Sequence, residues 1–299
     1  MDRLHLMSVY VAVVEAEGFA GGARKLHISP PAVTRAVAAL EERLGVKLLN
    51  RTTRYMRMTE AGQRYYEDAR RIIAMANEAD DAVLGINAAP RGLLTVTASV
   101  LFGRLFVMPC IVEYLRRYPA VEVNALFVDR VVNMMEEGVD VAIRIGDLPD
   151  SSYRALRVGS VRRVVCASLD YLVARGIPQI PEDLLSHDII LARGLNPSNE
   201  MRFMRDGQSL TVKLQPKLSV SDNASAAGAV EAGLGITCLL NYQIAEPLRD
   251  GKLKIVLGEF ESPSVPVHIL HREGSHSSAK IRSFVDLMAE RLKTELAMN

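Results

Sequence analysis

Residues 19–45 read FAGGARKLHISPPAVTRAVAALEERLG, and the periodicity of this stretch decides how the amino end folds. Phe19, Ala23 and Leu26 recur at intervals of four and three, which puts one apolar stripe on a first helix. Val33, Val37, Leu40 and Leu44 recur at intervals of four, three and four, which does the same for a second helix. Between the two lie only three residues, His27, Ile28 and Ser29. Ser29 is a good N-cap, and a proline in the first turn loses no hydrogen bond, because the first helical amides have no intrahelical partner. Gly45 closes the second helix. The face opposite its apolar stripe is small, polar and cationic, with Pro31, Thr34, Arg35 and Ala38. Two helices, a tight turn and such a front end have the layout of a helix-turn-helix, whose second helix enters a major groove.

Charge supports that reading. Between Arg24 and Arg57 stand eight cations and two anions, so this window carries +6 of a whole-chain formal charge of +1 and the rest sums to −5. Such segregation is the footprint of a phosphate-binding face. After Gly45, residues 46–59 mix apolar, β-branched and basic residues without helical period and read as a short two-stranded wing with Arg51 and Arg54 near its tip. Tyr65, Ala69, Ile72, Ala76, Ala79, Val83 and Ile86 then alternate intervals of four and three. That heptad seam predicts a long self-associating helix over 59–88, on the order of 45 Å in length, although packing on its own domain is the plainer alternative. Pro90 and Gly92 end it.

The chain resembles the LysR-type transcriptional regulators. The resemblance rests on the opening helix with Leu4, Met7, Val11 and Val14 on one face, on Gly18-Phe19, on the helix after Ser29, and on the stretches 51–54 (RTTR) and 59–62 (TEAG). Two departures stand out: Gly21 and Gly22 replace the usual alanines, and Pro30 stands where a polar, base-reading residue is common. Each helical glycine costs up to about 1 kcal/mol, which predicts a weaker second helix. The resemblance implies an all-α winged helix-turn-helix at 1–59, a dimerisation helix at 60–89 and an effector-binding α/β domain at 92–299. The DNA contacts would then fall to Pro30, Pro31, Thr34, Arg35, Arg51 and Arg54, and dimerisation to Tyr65, Ala69, Ile72, Ala76 and Val83.

At 299 residues and 49% hydrophobic, the chain is large enough for more than one core. It has no apolar run long enough to span a membrane and no secretory leader, which predicts a cytoplasmic protein with no membrane partner. Cys110, Cys166 and Cys238 lie far apart among apolar neighbours and read as buried structural thiols. From Leu93 onward strands alternate with helices, including a short helix at Val131–Glu137, which predicts parallel β-α-β units covered on both faces. Asp206-Gly207 signals a hairpin. The resemblance implies a periplasmic-binding-protein-like fold of two subdomains, I at about 92–161 and 269–299 and II at about 162–268, crossing near Gly159–Val164 and Val265–His271.

Ligands of open α/β sheets sit beyond the carboxyl ends of strands. That rule and the resemblance nominate Ser99, Phe127, Val128, Arg144, Gly146, Asn196 and Ser221 for a small-molecule effector, with Ser99 and nearby amides placed to hold an anion. The plainer readings are helix caps for the serines and asparagine and a surface ion pair for Arg144. No catalytic motif is found: Gly233-Leu234-Gly235 lacks a third glycine and follows a helix, while His268 and His271, three apart, fall on opposite faces of a strand. No enzyme, metal or cofactor is expected. Double-stranded DNA, an effector, further copies of the chain and RNA polymerase are the expected partners, and a binding module whose N-terminal helices serve only for assembly is the alternative.

Overall fold

The computed structural model describes residues 2–51, 56–84, 89–148, 153–193, 198–272 and 278–297, and of residues 51, 77–84 and 272 the backbone alone. The chain divides into two compact units, Met1–Ala88 and Ala89–Asn299.

In the first unit, α1 (Arg3–Glu15), α2 (Phe19–Leu26) and α3 (Pro30–Leu44) close on a core that includes Val9, Tyr10, Val13, Ala23, Val33, Val37 and Leu40. The α2 helix stops where His27 turns left-handed at φ 55°, and α3 stops at Gly45, φ 70°. Ser29 precedes α3 in an extended conformation, but its hydroxyl makes no cap bond; its carbonyl accepts the amides of Ala32 and Val33 instead. Gly21 and Gly22 do more than weaken α2. A Cβ on Gly22 would lie 2.8 Å from Val13 Cγ2 and one on Gly21 2.8 Å from the Ala16 carbonyl oxygen, so the two glycines let α1 and α2 approach closely.

The wing strands β1 (Leu49–Arg51) and β2 (Met56–Met58) pair antiparallel, Leu49 opposite Met58. They lead into α4 (Glu60–Leu84), whose first turn is anchored when Tyr10 Oη donates to the Gly62 carbonyl at 3.0 Å. Burial pushes the Tyr10 phenol up to about 12.

The second unit holds two five-stranded mixed sheets. The first runs β4 (Val121–Phe127), β3 (Gly92–Ala98), β5 (Val141–Ile145), β14 (Val265–Arg272), β6 (Tyr153–Val161). The second runs β11 (Pro216–Val220), β8 (Ile189–Ala192), β12 (Ile236–Leu240), β7 (Arg163–Ser168), β13 (Leu253–Val256). The expected parallel pairing is present in β4-β3-β5 and β11-β8-β12, whereas β6, β7, β13 and β14 pair antiparallel with their neighbours. The chain passes from the first sheet to the second at Arg162 and returns between Phe260 and Val265. The second crossing therefore precedes Val265: that residue already pairs with Val161, and the whole of β14 belongs to the first sheet.

After β3 come α5 (Val100–Phe102), one π-helical turn (Gly103–Val107) and α6 (Met108–Arg117). Together with α10 (Ala279–Ala297) they cover one face of the first sheet, around Phe102, Cys110, Tyr114, Phe284 and Met288. Val132, Met134, Val139, Ala142 and Leu270 form a smaller core on the other face. The short helix expected at Val131–Glu137 is absent. Asn133 Oδ1 accepts the amides of Met135 and Glu136, Val139 donates to the Met134 carbonyl at 2.8 Å, and Gly138 at φ 62° completes a turn in its place. In the second sheet α7 (Leu169–Arg175) follows β7, α8 (Asn223–Glu231) follows β11, and α9 (Ala245–Arg249) precedes β13. The hairpin of β9 (Glu200–Arg205) and β10 (Gln208–Lys213) turns through Asp206 and Gly207, both at positive φ as a type I′ turn requires.

Candidate nucleic-acid interface and effector cleft

The second helix of the amino-terminal pair divides cleanly by exposure. Val33, Ala36, Val37 and Leu40 are buried, while Pro30, Pro31, Arg35 and Ala38 are exposed and Thr34 is half-buried between the two sets. A buried carboxylate ties this helix to the wing: Glu41, 4% exposed, accepts the amides of Leu48 (2.9 Å) and Leu49 (3.1 Å) at Oε1 and the Lys47 ammonium at Oε2 (2.7 Å). Burial pushes the Glu41 pKa up, but the Lys47 ammonium and the two amides outweigh it and leave the group below the usual carboxylate value. The sequence carries no periodic signal for this clamp. Arg51 lies on β1, with its backbone paired to Met56, and Arg54 falls outside the described residues.

The heptad seam of α4 divides between two jobs. Tyr65 packs on Tyr10, with ring centroids 5.8 Å apart, and Ala69 is fully buried within the unit. Their side chains are thus engaged in the domain's own packing. Ile72 and Met75 are 40% and 59% exposed and Ala76 is half-buried, while the Val83 side chain lies outside the described residues.

In the second unit, the carboxyl ends of the first sheet carry Ser99, Phe127, Val128, Arg144 and Gly146. Ala98 pairs with Phe127, and the Val128 amide donates to the Ala98 carbonyl at 2.9 Å, so Ser99 and Val128 end adjacent strands side by side. Phe127 supports the π-helical turn: a Cβ on Gly103 would meet its ring at 2.5 Å. Thr97 pairs with Ala142, which sets Ser99 and Arg144 at one level of the sheet two residues on. Gly146, φ 124°, donates to the Pro266 carbonyl at 2.9 Å. In the second sheet, Ser221 follows β11 beside the loop after β8, where Arg193 Nε donates to Ser219 Oγ at 3.0 Å. Asn196 lies outside the described residues.

Several partners in this site were not nominated. Asp129 Oδ1 accepts the Val100 amide at 3.0 Å, so the chain's own carboxylate occupies an amide near Ser99 that was expected to be open to an anion, and beyond Ser221 Asp222 Oδ1 likewise accepts the Ser225 amide at 2.8 Å. The Ser99 side chain lies beside the Tyr242 phenol. Tyr242, 4% exposed, follows β12 of the second sheet, yet its ring packs edge-on against Phe102 and Phe106 in the core of the first. Burial drives its phenol up to about 12 against the opposing pull of the Ser99 and Gln243 side chains. Next to it, Asn241 Oδ1 accepts the Arg162 amide at the first crossing, at 2.9 Å. Arg144, for which a surface ion pair was the plainer alternative, makes no such bond among the described residues. Its Nη2 is buried without a hydrogen-bond partner.

A separate depression of about 390 Å³ in the second sheet's half is lined by Asp170, Tyr171, Asp188 and Lys217 among others, with Lys217 already bridged to Asp188 at 3.0 Å.

Comparison with known proteins places both units. Residues 4–63 match the bacterial regulatory helix-turn-helix protein, lysR family, and residues 87–293 match the LysR substrate binding domain. The HTH-type transcriptional activator AaeR of Escherichia coli is 32% identical over 291 residues, spanning 97% of this chain and 94% of that protein. The HTH-type transcriptional regulator CrgA of Neisseria meningitidis is 31% identical over 291 residues, 97% of each chain. The solved structure of CrgA superposes with a TM-score of 0.62 over 96% of this chain and 98% of that one, at 31% identity. The full-length Vibrio cholerae virulence activator AphB gives 0.60 over 97% and 99%, at 25% identity. Two domain matches in order and relatives that align along nearly the whole chain show that this protein belongs to the LysR family of transcriptional regulators, with a helix-turn-helix DNA-binding unit and an effector-binding unit.

Proposed function

We propose that the front of α3, with exposed Pro30, Pro31 and Arg35 and half-buried Thr34, enters the major groove of an operator while Arg51 and Arg54 of the wing hold the flanking phosphates. The observation that carries this reading is the exposure of that front on a helix whose rear is fully buried and clamped to the wing through Glu41. Self-association through α4, about Ile72, Ala76 and Val83, presents two such helices to two half-sites of an imperfect palindrome. The second unit takes a small-molecule effector among Ser99, Phe127, Val128, Arg144, Gly146, Asn196 and Ser221. Coupling of about 1–3 kcal/mol between effector and DNA is typical of such switches. RNA polymerase is the onward partner, and a regulator of chromosomal DNA works in the cytoplasm.

The test is a gel-shift titration on genomic fragments selected by the purified protein, at several salt concentrations. Affinity is expected to fall steeply with salt. Arg35→Ala is expected to weaken the specific site by about 1–3 kcal/mol, on the order of tenfold or more, with its circular dichroism unchanged. Salt-insensitive binding, or full affinity in both Arg35→Ala and Arg54→Ala, refutes the assigned surface. Retention of a small molecule by a protein that selects no fragment would favour the binding-module alternative.

A further inference from the structure

In the first sheet, Arg144 of β5 stands directly opposite His268 of β14, and His268 stands opposite Arg157 of β6. Their neighbours two residues along, Ala142 and Leu270, belong to the apolar cluster with Val132 and Met134. Side chains alternate along strands, so Arg144, His268 and Arg157 form one row on that same face. Arg157 is exposed, while Arg144 and His268 are half-buried. Both Nη2 of Arg144 and Nδ1 of His268 are shut off from solvent with no hydrogen-bond partner. The neighbouring acid is engaged elsewhere: Glu137 Oε1 and Oε2 accept from Arg130 at 2.7 and 2.6 Å.

Burial of an unpaired guanidinium is costly, and native structures seldom leave such a group without an acceptor. Burial already disfavours the charged form of Arg144, with the Glu137 charge opposing and the Arg130 charge reinforcing that effect. The guanidinium nitrogen must donate, and His268 Nδ1 donates in the tautomer that carries its proton, so one acceptor beside this paired position of the two strands would serve both. A carboxylate matches this arrangement, because its two oxygens in a plane suit the guanidinium fork. Leu126, Val128 and Tyr153, which pack around the same cluster, offer an apolar surface beside it.

We propose that Arg144 and His268 receive the carboxylate of a small acid with an apolar body, whose remainder lies toward Val128. This names the chemical class of the effector and rests on the reading that the second unit binds one.

The test uses the full-length protein, with butyrate, benzoate and inorganic phosphate as probes in calorimetric titration and thermal unfolding. At least one of the two carboxylates is expected to bind saturably and raise the melting temperature. Arg144→Gln is expected to weaken that binding by about tenfold to a hundredfold, with Arg144→Lys and His268→Ala intermediate. Operator binding in the absence of acid is expected to stay intact in all three variants, which reports that they fold. The proposal is overturned by binding of phosphate alone, by no carboxylate binding at about 10 mM, well beyond ordinary ligand affinities, or by undiminished binding in Arg144→Gln. Operator binding that answers to an uncharged or cationic metabolite, and to neither acid, leaves the effector reading standing and overturns this one.

Discussion

Single side chains carry more of this protein's organisation than their chemistry announces. Glu41 is the clearest case. Removing its carboxylate leaves the buried amides of Leu48 and Leu49 without acceptors, and an orphaned buried donor costs about 1–3 kcal/mol. Because its folded pKa lies below the ordinary 4.5, the stability it contributes is fully present above that value and is lost as pH falls through the lowered one. Glu41→Gln is therefore expected to lower stability at neutral pH and to flatten the acid limb of the first unit's unfolding, as followed by circular dichroism from pH 7 downward. The cysteines are quiet by the same logic. Burial lifts Cys110 and Cys166 to about 12 and Cys238 to about 11, so the thiolate is scarce in all three. Ellman's reagent at pH 8 is expected to leave them unlabelled until denaturant is added.

At the scale of elements, close approach outweighs propensity. Alanine is the better helix former by up to about 1 kcal/mol. Yet a Cβ at position 22 would stand 3.0 Å from the Val13 Cα and 2.8 Å from its Cγ2, and backbone cannot yield cheaply. Gly22→Ala is expected to destabilise the first unit by about 1–3 kcal/mol in urea titration, the cost of overpacking. Unchanged or increased stability would show that α1 and α2 can separate without loss. The α4 helix shows the same interplay between sequence and packing. Its heptad period is regular, but the start of the seam packs on Tyr10, and only further along does it reach exposed Ile72, with Met75 exposed nearby. Ile72→Glu is expected to shift sedimentation toward smaller species while Tyr65→Ala chiefly unfolds the domain.

At the scale of the whole second unit, the two sheets are coupled through Tyr242, whose chain position belongs to one and whose ring belongs to the core of the other. Truncation to alanine empties a site bounded by Phe102 and Phe106 and is expected to cost about 3–5 kcal/mol by scanning calorimetry. Tyr242→Phe keeps the packing but drops the hydroxyl that accepts from Gln243 Nε2, and is expected to cost about 0.5–1.5 kcal/mol. Equal losses in the two variants would mean that the hydroxyl, not the ring, holds the sheets together.

Periodicity, turn residues and charge segregation by themselves determined the helix pair, the wing, the long helix, the alternation of strands and helices and the Asp206-Gly207 hairpin. Those are local signals, set by where apolar residues recur and by which residues tolerate a positive φ. The order of strands in each sheet, the antiparallel place of β14 beside β5 and the position of the second crossing were decided only in three dimensions, because a strand's pairing partner is chosen by packing and not by its own composition. The turn that replaces a helix at Val131–Glu137 arises likewise from Asn133 and Gly138, whose influence exceeds the apolar pattern around them. So do the functional details. Asp129 beside Val100, Tyr242 beside Ser99 and the row formed by Arg144 and His268 join residues 29, 143 and 124 positions apart, and no sequence period spans such distances.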